Sequence, residues 1–326
     1  MVANFAQRVP RARWTNALRQ PPKPAISWFR RFRRLTPWIY LVVPLGLLTT
    51  FVYYPCVRLF YYSFTDWDGL TPHPSFVGLY NYRQIFSNPQ YFDVFKVSLY
   101  YIGGAAVQIV VALYFATILS FNVRFRNFWK GVIFFPYLIN GVAIAFIFNF
   151  FFAPGGTLDS VLKVIGYHNQ YNSNGRLLSH HLWLGDPHLV NVSLAGVSVW
   201  RYLGLNFVLF LGAVQSIPGN LYEAAELDGA SRWHQFRYII APGIRPLIGL
   251  SVILAVAGAL AVFEVPYIML LGANGSTTFV IRTVQTAFTF HEFGQASALA
   301  VVLLLIVLAI TWVQRLVVPD KEVDLT

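Results

Sequence analysis

Charge is scarce in this chain: only 11% of its 326 residues are Asp, Glu, Lys or Arg, while 56% are hydrophobic and the mean hydropathy is +0.55. Ordinary soluble domains carry about 25% charged residues, so this deficit excludes that class. Cysteine occurs once, as Cys56, which excludes an intrachain disulfide and a cysteine-based metal site. No Gly-x-x-x-x-Gly-Lys-Ser/Thr phosphate loop is present, so the chain does not cradle ATP in the usual way. No nucleophile and base can be assembled from the loops, which argues against a membrane enzyme. His168, His180, His181 and His188 share one polar segment. They match no metal-ligand spacing and no acid is well placed beside them, so they read as solvated loop residues.

What the chain has instead is long apolar runs. Six of them, at about 38 to 62, 95 to 120, 128 to 152, 192 to 216, 247 to 272 and 295 to 318, reach the roughly 20 residues that cross a hydrocarbon core as helix. In lipid the backbone must satisfy its own polar groups, and a barrel would show short alternating strands. The expected fold class is therefore an all-α membrane protein with six transmembrane helices.

The net charge of +11 is explained by position. Nine basic residues, Arg8 to Arg34, precede the first run. With the amino terminus inside, Arg124, Arg126, Lys130, Arg232, Arg237, Arg245, Arg315 and Lys321 join them, placing 17 of the 24 on one side. The positive-inside rule then puts both termini in the cytoplasm. The basicity records topology and contact with anionic membrane lipid, and no nucleic acid is expected as a partner. Residues 1–36 read as a basic cytoplasmic tail, 37–318 as the six-helix domain, and 319–326 as a cytoplasmic C-terminal tail. The first run is too long for a signal h-region and lacks a small-residue cleavage site, so it is expected to remain as a span.

Between runs four and five lies a polar interval, 217–243. Pro218 ends the fourth run, and Asn220 with Glu223 three residues on forms a variant capping box, so a helix is expected to begin near Leu221. Leu221, Ala224, Ala225 and Asp228 share one narrow, small-residue face. Gly229 supplies a turn or a close contact. Trp233, Phe236, Ile239 and Ile240 are expected to pack back toward the membrane before Pro242 stops the segment.

Here the sequence resembles the permease subunits of ATP-binding-cassette importers, whose inner loop reads Glu-Ala-Ala, three residues, Gly, nine residues, Ile, one residue, Leu-Pro. Glu223-Ala224-Ala225, Gly229, Ile239 and Pro242 match, and Ala241 replaces the Leu. The rest is similar to the carbohydrate-uptake branch, of maltose and glycerol-phosphate type. That likeness rests on Phe76-Val77-Gly78-Leu79 with Asn81-Tyr82, Phe135-Pro136, Trp200, Ile217-Pro218 and Gly294-Gln295-Ala296-Ser297-Ala298. One departure is Leu271-Gly272-Ala273-Asn274-Gly275, where the branch often has Thr-x-Gly-Gly-Pro.

The resemblance implies a non-catalytic subunit of a bacterial or archaeal cell membrane. It implies that this chain binds no cofactor, with ATP and Mg held by two partner ATPase subunits. A second permease, in a heterodimer, would complete the path of a sugar or oligosaccharide, and an extracytoplasmic sugar-binding protein would dock outside. Leu221, Glu223, Ala224, Ala225, Asp228, Gly229, Ala230 and Pro242 become the ATPase-coupling residues. Glu223 would pair with a base or help cap the helix, Ala224 and Ala225 would fit closely, and Gly229 would permit the bend.

Polar residues inside spans are rare on lipid-facing positions. Gln108, Asn140, Trp200, Arg201, Asn206, Glu264 and Tyr267 are accordingly the substrate-path candidates, each with the alternative of joining helices by a hydrogen bond. Arg201 and Glu264 either pair, or Arg201 snorkels outward while Glu264 meets partner or solute. A secondary transporter or channel is the competing reading. Glu264 is the only obvious acid for ion coupling, and six helices leave little room for paired inverted repeats.

Overall fold

The computed structural model describes residues 38, 40–121, 123–166 and 182–317. The two expected tails, 1–36 and 319–326, and the loop histidines His168, His180 and His181 lie outside the described residues. Regular structure among the described residues is helical, apart from one isolated bridge between Thr65 and Phe76.

The chain divides into two compact units, residues 1–57 and 58–326. The described part of the first unit is the opening of helix α1, Tyr40–Tyr62. Its side chains, Leu41, Val43, Leu47 and Phe51 among them, are exposed. A π-helical turn at Thr49–Tyr53 precedes Pro55. Proline has no N–H to donate to the preceding turn, and a local widening of the helix accommodates that loss.

The second unit holds α2 (Tyr80–Ser87), α3 (Phe95–Ser120), α4 (Arg126–Leu138), α5 (Gly141–Phe151), α6 (Thr157–Val164), α7 (Val190–Ser216) and α8 (Gly219–Leu227). It continues with α9 (Arg245–Leu260), α10 (Glu264–Leu270), α11 (Phe279–Phe288) and α12 (Phe293–Val317). Among the described residues, five segments are long and apolar enough to cross a membrane: Tyr40–Tyr62, Gln90–Ser120, Val190–Ser216, Arg245–Leu270 and Phe293–Leu316.

The third expected span is not one straight helix. Residues 128–152 are divided between α4 and α5, which meet at 98°. Pro136 lies near the end of α4, Ile139 is extended, and the Asn140 side chain accepts a hydrogen bond from the Val142 N–H at 2.8 Å, starting a new helix. Proline weakens the end of one helix and the Asn cap nucleates the next. Hydropathy is indifferent to such a break because both halves stay apolar.

Helix α7 organises the core. Near one end, Val190, Leu194 and Val197 pack with Tyr101 of α3, Ile144 of α5 and Val265 and Met269 of α10. Near the other, Phe207, Phe210 and Val214 pack with Ala112, Ala116 and Leu119 of α3 and with Ile217, Ile240 and Ile244. Gly204 lets α7 lie against the α4 backbone, where a β-carbon would come within 2.8 Å of Phe134 Cα. Small residues allow such close helix contact in membranes. A third cluster joins Ile85, Val94 and Phe279 to Ala298, Leu299 and Val302 of α12.

The Phe76–Tyr82 segment acts as a staple. Asn81 is buried and donates to the carbonyls of Ser63 at 3.0 Å and Thr65 at 2.8 Å, and the Tyr82 hydroxyl donates to Ser63 Oγ at 2.7 Å. A short helix, α6, precedes the approach to α7. Asp159 accepts from the Gly155 N–H and from the Trp183 indole N–H, tying α6 to the approach of α7.

Candidate functional site

Three helix faces and one helix break enclose a cavity of about 450 Å³. Tyr101, Ala105 and Gln108 come from α3 at helical spacing. Helix α7 contributes Ala195, Ser198, Tyr202, Leu205, Asn206 and Leu209, and α9 contributes Ser251, Leu254, Ala255, Gly258 and Ala259. Each set forms one stripe of a 3.6-residue period. The space exists because Ala, Gly and Ser recur on these stripes where larger side chains would fill it. Ala261 to Val265, at the break between α9 and α10, close one side. Such a volume suits a small molecule, and a largely apolar wall with a few polar groups is the usual character of ligand cavities.

Several of those polar groups lack partners. Among the described residues, Tyr101 Oη, Ser198 Oγ, Ser251 Oγ and Arg201 Nε are buried without a hydrogen bond. Tyr101 is 5% exposed and Ser251 2%. An unsatisfied buried polar group costs about 1–3 kcal/mol, so four around one cavity call for a hydrogen-bonding occupant.

Of the sequence-predicted path residues, Gln108, Arg201, Asn206 and Glu264 line this cavity. Asn140, Trp200 and Tyr267 are not among its lining. Asn140 caps α5, Trp200 packs edge-on against Phe148 at 5.2 Å, and Tyr267 stacks on Phe263 at 4.6 Å. Tyr101, Ser198, Tyr202 and Ser251 escaped the sequence reading because Ser and Tyr are unremarkable inside apolar helices. Their shared helical stripes were the available signal.

The open question about the two charges is decided by geometry. Arg201 Nη1 donates to Glu264 Oε2 at 2.6 Å, with side-chain exposures of 14% and 42%. Glu264 is the first residue of α10 and also meets the start of α5: a side chain at Gly141 would collide with its carboxylate. One carboxylate thereby joins α7, α10 and α5 at the two breaks in the bundle.

The segment after α7 carries the second candidate site. Helix α8 begins two residues earlier than expected, behind Pro218, and no side chain caps it. Asn220 lies within its first turn, so the expected Asn220–Glu223 capping box is not formed. The chain leaves Pro218 with ψ 133° and enters the helix directly at Gly219, a geometry proline presets without an Asn cap. At the other end the Ala230 N–H reaches the Ala225 carbonyl at 2.9 Å and the Gly229 N–H the Glu226 carbonyl at 3.1 Å, with Gly229 at φ +74°. This is a Schellman termination, which selects glycine because its left-handed backbone disfavours a β-carbon.

Leu221, Glu223, Ala224, Asp228, Gly229 and Pro242 are exposed, while Ala225 and Ala230 are half-buried. The acid that pairs with a base here is Glu226, 3.5 Å from Arg232. Sequence reasoning missed two neighbours. Arg232 places its guanidinium 4.1 Å from the Phe121 ring centre, and Tyr222 meets the same ring edge-on at 6.4 Å. Phe121 directly follows α3, so this segment grips the end of that helix. Burial pushes the Tyr222 phenol above its ordinary value. Phe236, Ile239 and Ile240 pack inward as expected. Trp233 is the exception, exposed and stacked on Phe236. Pro242 does not stop the helical path. It follows a π-helical turn at Phe236–Ile240, which absorbs its missing donor, and α9 begins at Arg245.

Residues 108–323 match the family described as binding-protein-dependent transport system inner membrane component. The probable ABC transporter permease protein YurN of Bacillus subtilis is 32% identical over 287 residues, covering 86% of this chain and 95% of that protein. The probable starch degradation products transport system permease protein AmyD of Thermoanaerobacterium thermosulfurigenes is 28% identical, covering 88% and 95%. Among solved structures, a chain of a bacterial ABC transporter involved in the import of the acidic polysaccharide alginate shares the fold, with a TM-score of 0.70 at 19% identity over 90% of this chain and 99% of that one. A second structure of that alginate transporter, in complex with alginate pentasaccharide-bound periplasmic protein, aligns with a TM-score of 0.69 at 19% identity over 88% and 96%.

Proposed function

This chain belongs to the family of binding-protein-dependent transport system inner membrane components, and on that premise we propose that it forms half of the path for a sugar or oligosaccharide through an ATP-driven importer. It is a multi-pass protein of the inner membrane. In our reading both termini are cytoplasmic, and the bent pair α4–α5 completes a sixth passage. Energy comes from two ATPase subunits that hold ATP and Mg, a second permease faces this one, and a sugar-loaded binding protein docks outside. The chain itself is non-catalytic.

One observation carries the reading. Helix α7 runs unbroken from Val190 to Ser216, lines the cavity between Ala195 and Leu209, and passes through Ile217 and Pro218 straight into α8. A displacement of α8 therefore passes through this two-residue link to α7, the rod that forms one cavity wall. That linkage is what alternating access requires. Leu227, 90% exposed on α8, and Leu221 offer the ATPase an apolar contact, with Ala224 permitting close approach. A saccharide suits the cavity because its hydroxyls can satisfy the buried groups of Tyr101, Ser198 and Ser251.

Affinity purification of the tagged chain from its native membrane tests this. The second permease and the ATPase are expected to co-purify, and Leu227→Asp is expected to lose the ATPase while keeping the permease partner. Solute uptake by this chain alone, in vesicles lacking both partners, would overturn the reading in favour of a secondary transporter.

A further inference from the structure

Arg201 and Glu264 are the charged residues among those lining the cavity, and they neutralise each other through the 2.6 Å contact. The carboxylate has a second neighbour. It seats against Gly141, the first residue of the 11-residue helix α5, whose opening N–H groups carry partial positive charge. The guanidinium has its own support: it lies 5.2 Å from the Tyr202 ring centre, and its Nε is buried without a partner. Arginine stays protonated in proteins, and an uncompensated charge inside a span is costly. Arg201 thus needs an anion at all times, and the protein supplies one.

We propose that the Arg201–Glu264 pair sets the solute specificity of this cavity, directing it to uncharged polyhydroxylated saccharides and against those carrying carboxylate or phosphate. The proposal rests on the cavity being part of the solute's path. An acidic saccharide would find the charge of the guanidinium already balanced and would face the exposed part of the Glu264 carboxylate, so it gains no counter-ion and meets like charge. A neutral saccharide meets the unpaired hydroxyls of Tyr101, Ser198 and Ser251, together with the spare Arg201 Nε–H as donor to an ether or hydroxyl oxygen. Gly141 belongs to the same device, because any side chain there would displace the carboxylate from its partner.

The test uses the complete transporter assembly in lipid nanodiscs, without the external binding protein, so that the receptor's own selectivity does not intervene. A panel of neutral di- to pentasaccharides and their uronate counterparts is titrated by calorimetry. Wild type is expected to bind neutral members preferentially. Glu264→Gln, which frees the guanidinium, is expected to raise the acidic-to-neutral affinity ratio about tenfold or more, a gain that declines with salt. Arg201→Gln lowers the ratio, and the doubly neutral R201Q/E264Q returns it near the wild-type value. Should E264Q fail to assemble, Glu264→Asp carries the comparison with a smaller shift in the same direction, because its shorter carboxylate draws away from Arg201. Wild-type preference for uronates, or a ratio unmoved by these substitutions while neutral binding persists, overturns the proposal. Binding of no saccharide by wild type is a different result, since it removes the solute path itself from this cavity.

Discussion

Arg201 and Glu264 illustrate what a residue list can and cannot convey. Both were visible as charges inside apolar runs, and the cost of leaving either alone required a partner, yet their separation by 63 positions left open whether they were each other's. Removing one should therefore hurt far more than neutralising both. Arg201→Ala is expected to destabilise the assembly by about 1–3 kcal/mol, between the values for exposed and buried pairs, and R201Q/E264Q by much less, as read by thermal unfolding in detergent. The double reversal R201E/E264R should recover only part of the loss, because an arginine at 264 would face the N-terminus of α5, where cations are disfavoured. A full recovery would show that α5 plays no part in holding the carboxylate.

Asp68 behaves differently because it sits in a turn outside the spans. Its Oδ1 accepts hydrogen bonds from the Thr71 N–H, the Leu70 N–H and the Thr71 hydroxyl, and these hold its carboxyl at about 2, below the usual 3.8. The folded value is the lower one, so the turn is stabilised above pH 3.8 and loses that stabilisation as pH falls through about 2. The Trp67 indole N–H bonds to the Thr71 carbonyl in the same turn. Its NMR resonance should shift across that window in wild type and stay flat in Asp68→Ala.

At the scale of elements, termini and breaks carried most of the surprises. The run at 128–152 was legible as apolar and long. Its division into α4 and α5 depends on an extended Ile139 and an Asn140 cap, features that add no charge and interrupt no hydropathy window. The α8 helix was legible in place and length, but its start obeys Pro218 rather than Asn220. Its end followed the expected glycine. Gly229→Ala places a β-carbon at φ +74° and is expected to cost about 1–2 kcal/mol. Amide hydrogen exchange should rise at 225–230, and Gly229→Asn should be milder because Asn tolerates this region. Equal protection in all three would mean that the turn does not determine the helix end.

Across the whole molecule, α8 is attached to the bundle in two ways. It continues from α7 through Pro218, and its neighbourhood clasps Phe121 at the end of α3 through Tyr222 and Arg232. Helices α3 and α7 both line the cavity, so two of its walls are linked to one exposed helix. Phe121→Ala is expected to leave ATP hydrolysis by the reconstituted assembly within about twofold of wild type while cutting solute uptake roughly tenfold, a loss of about 1.4 kcal/mol in coupling. Parallel loss of both activities would assign Phe121 to assembly instead.

The all-helical membrane class, the approximate position of the spans and the place of the exposed helix between α7 and α9 followed from the sequence by itself. Chain-local physics decides all of them: lipid demands self-satisfied backbone over about 20 apolar residues, and Pro218 and Gly229 act on their own neighbours. The bend between α4 and α5, the pairing of Arg201 with Glu264 over Gly141, the unpaired hydroxyls of Tyr101, Ser198 and Ser251 and the seat of Arg232 on Phe121 were decided only by tertiary structure. Each depends on which face of one helix meets another. Among nearly uniform apolar surfaces that choice is made by close packing and by the few polar groups that must find partners.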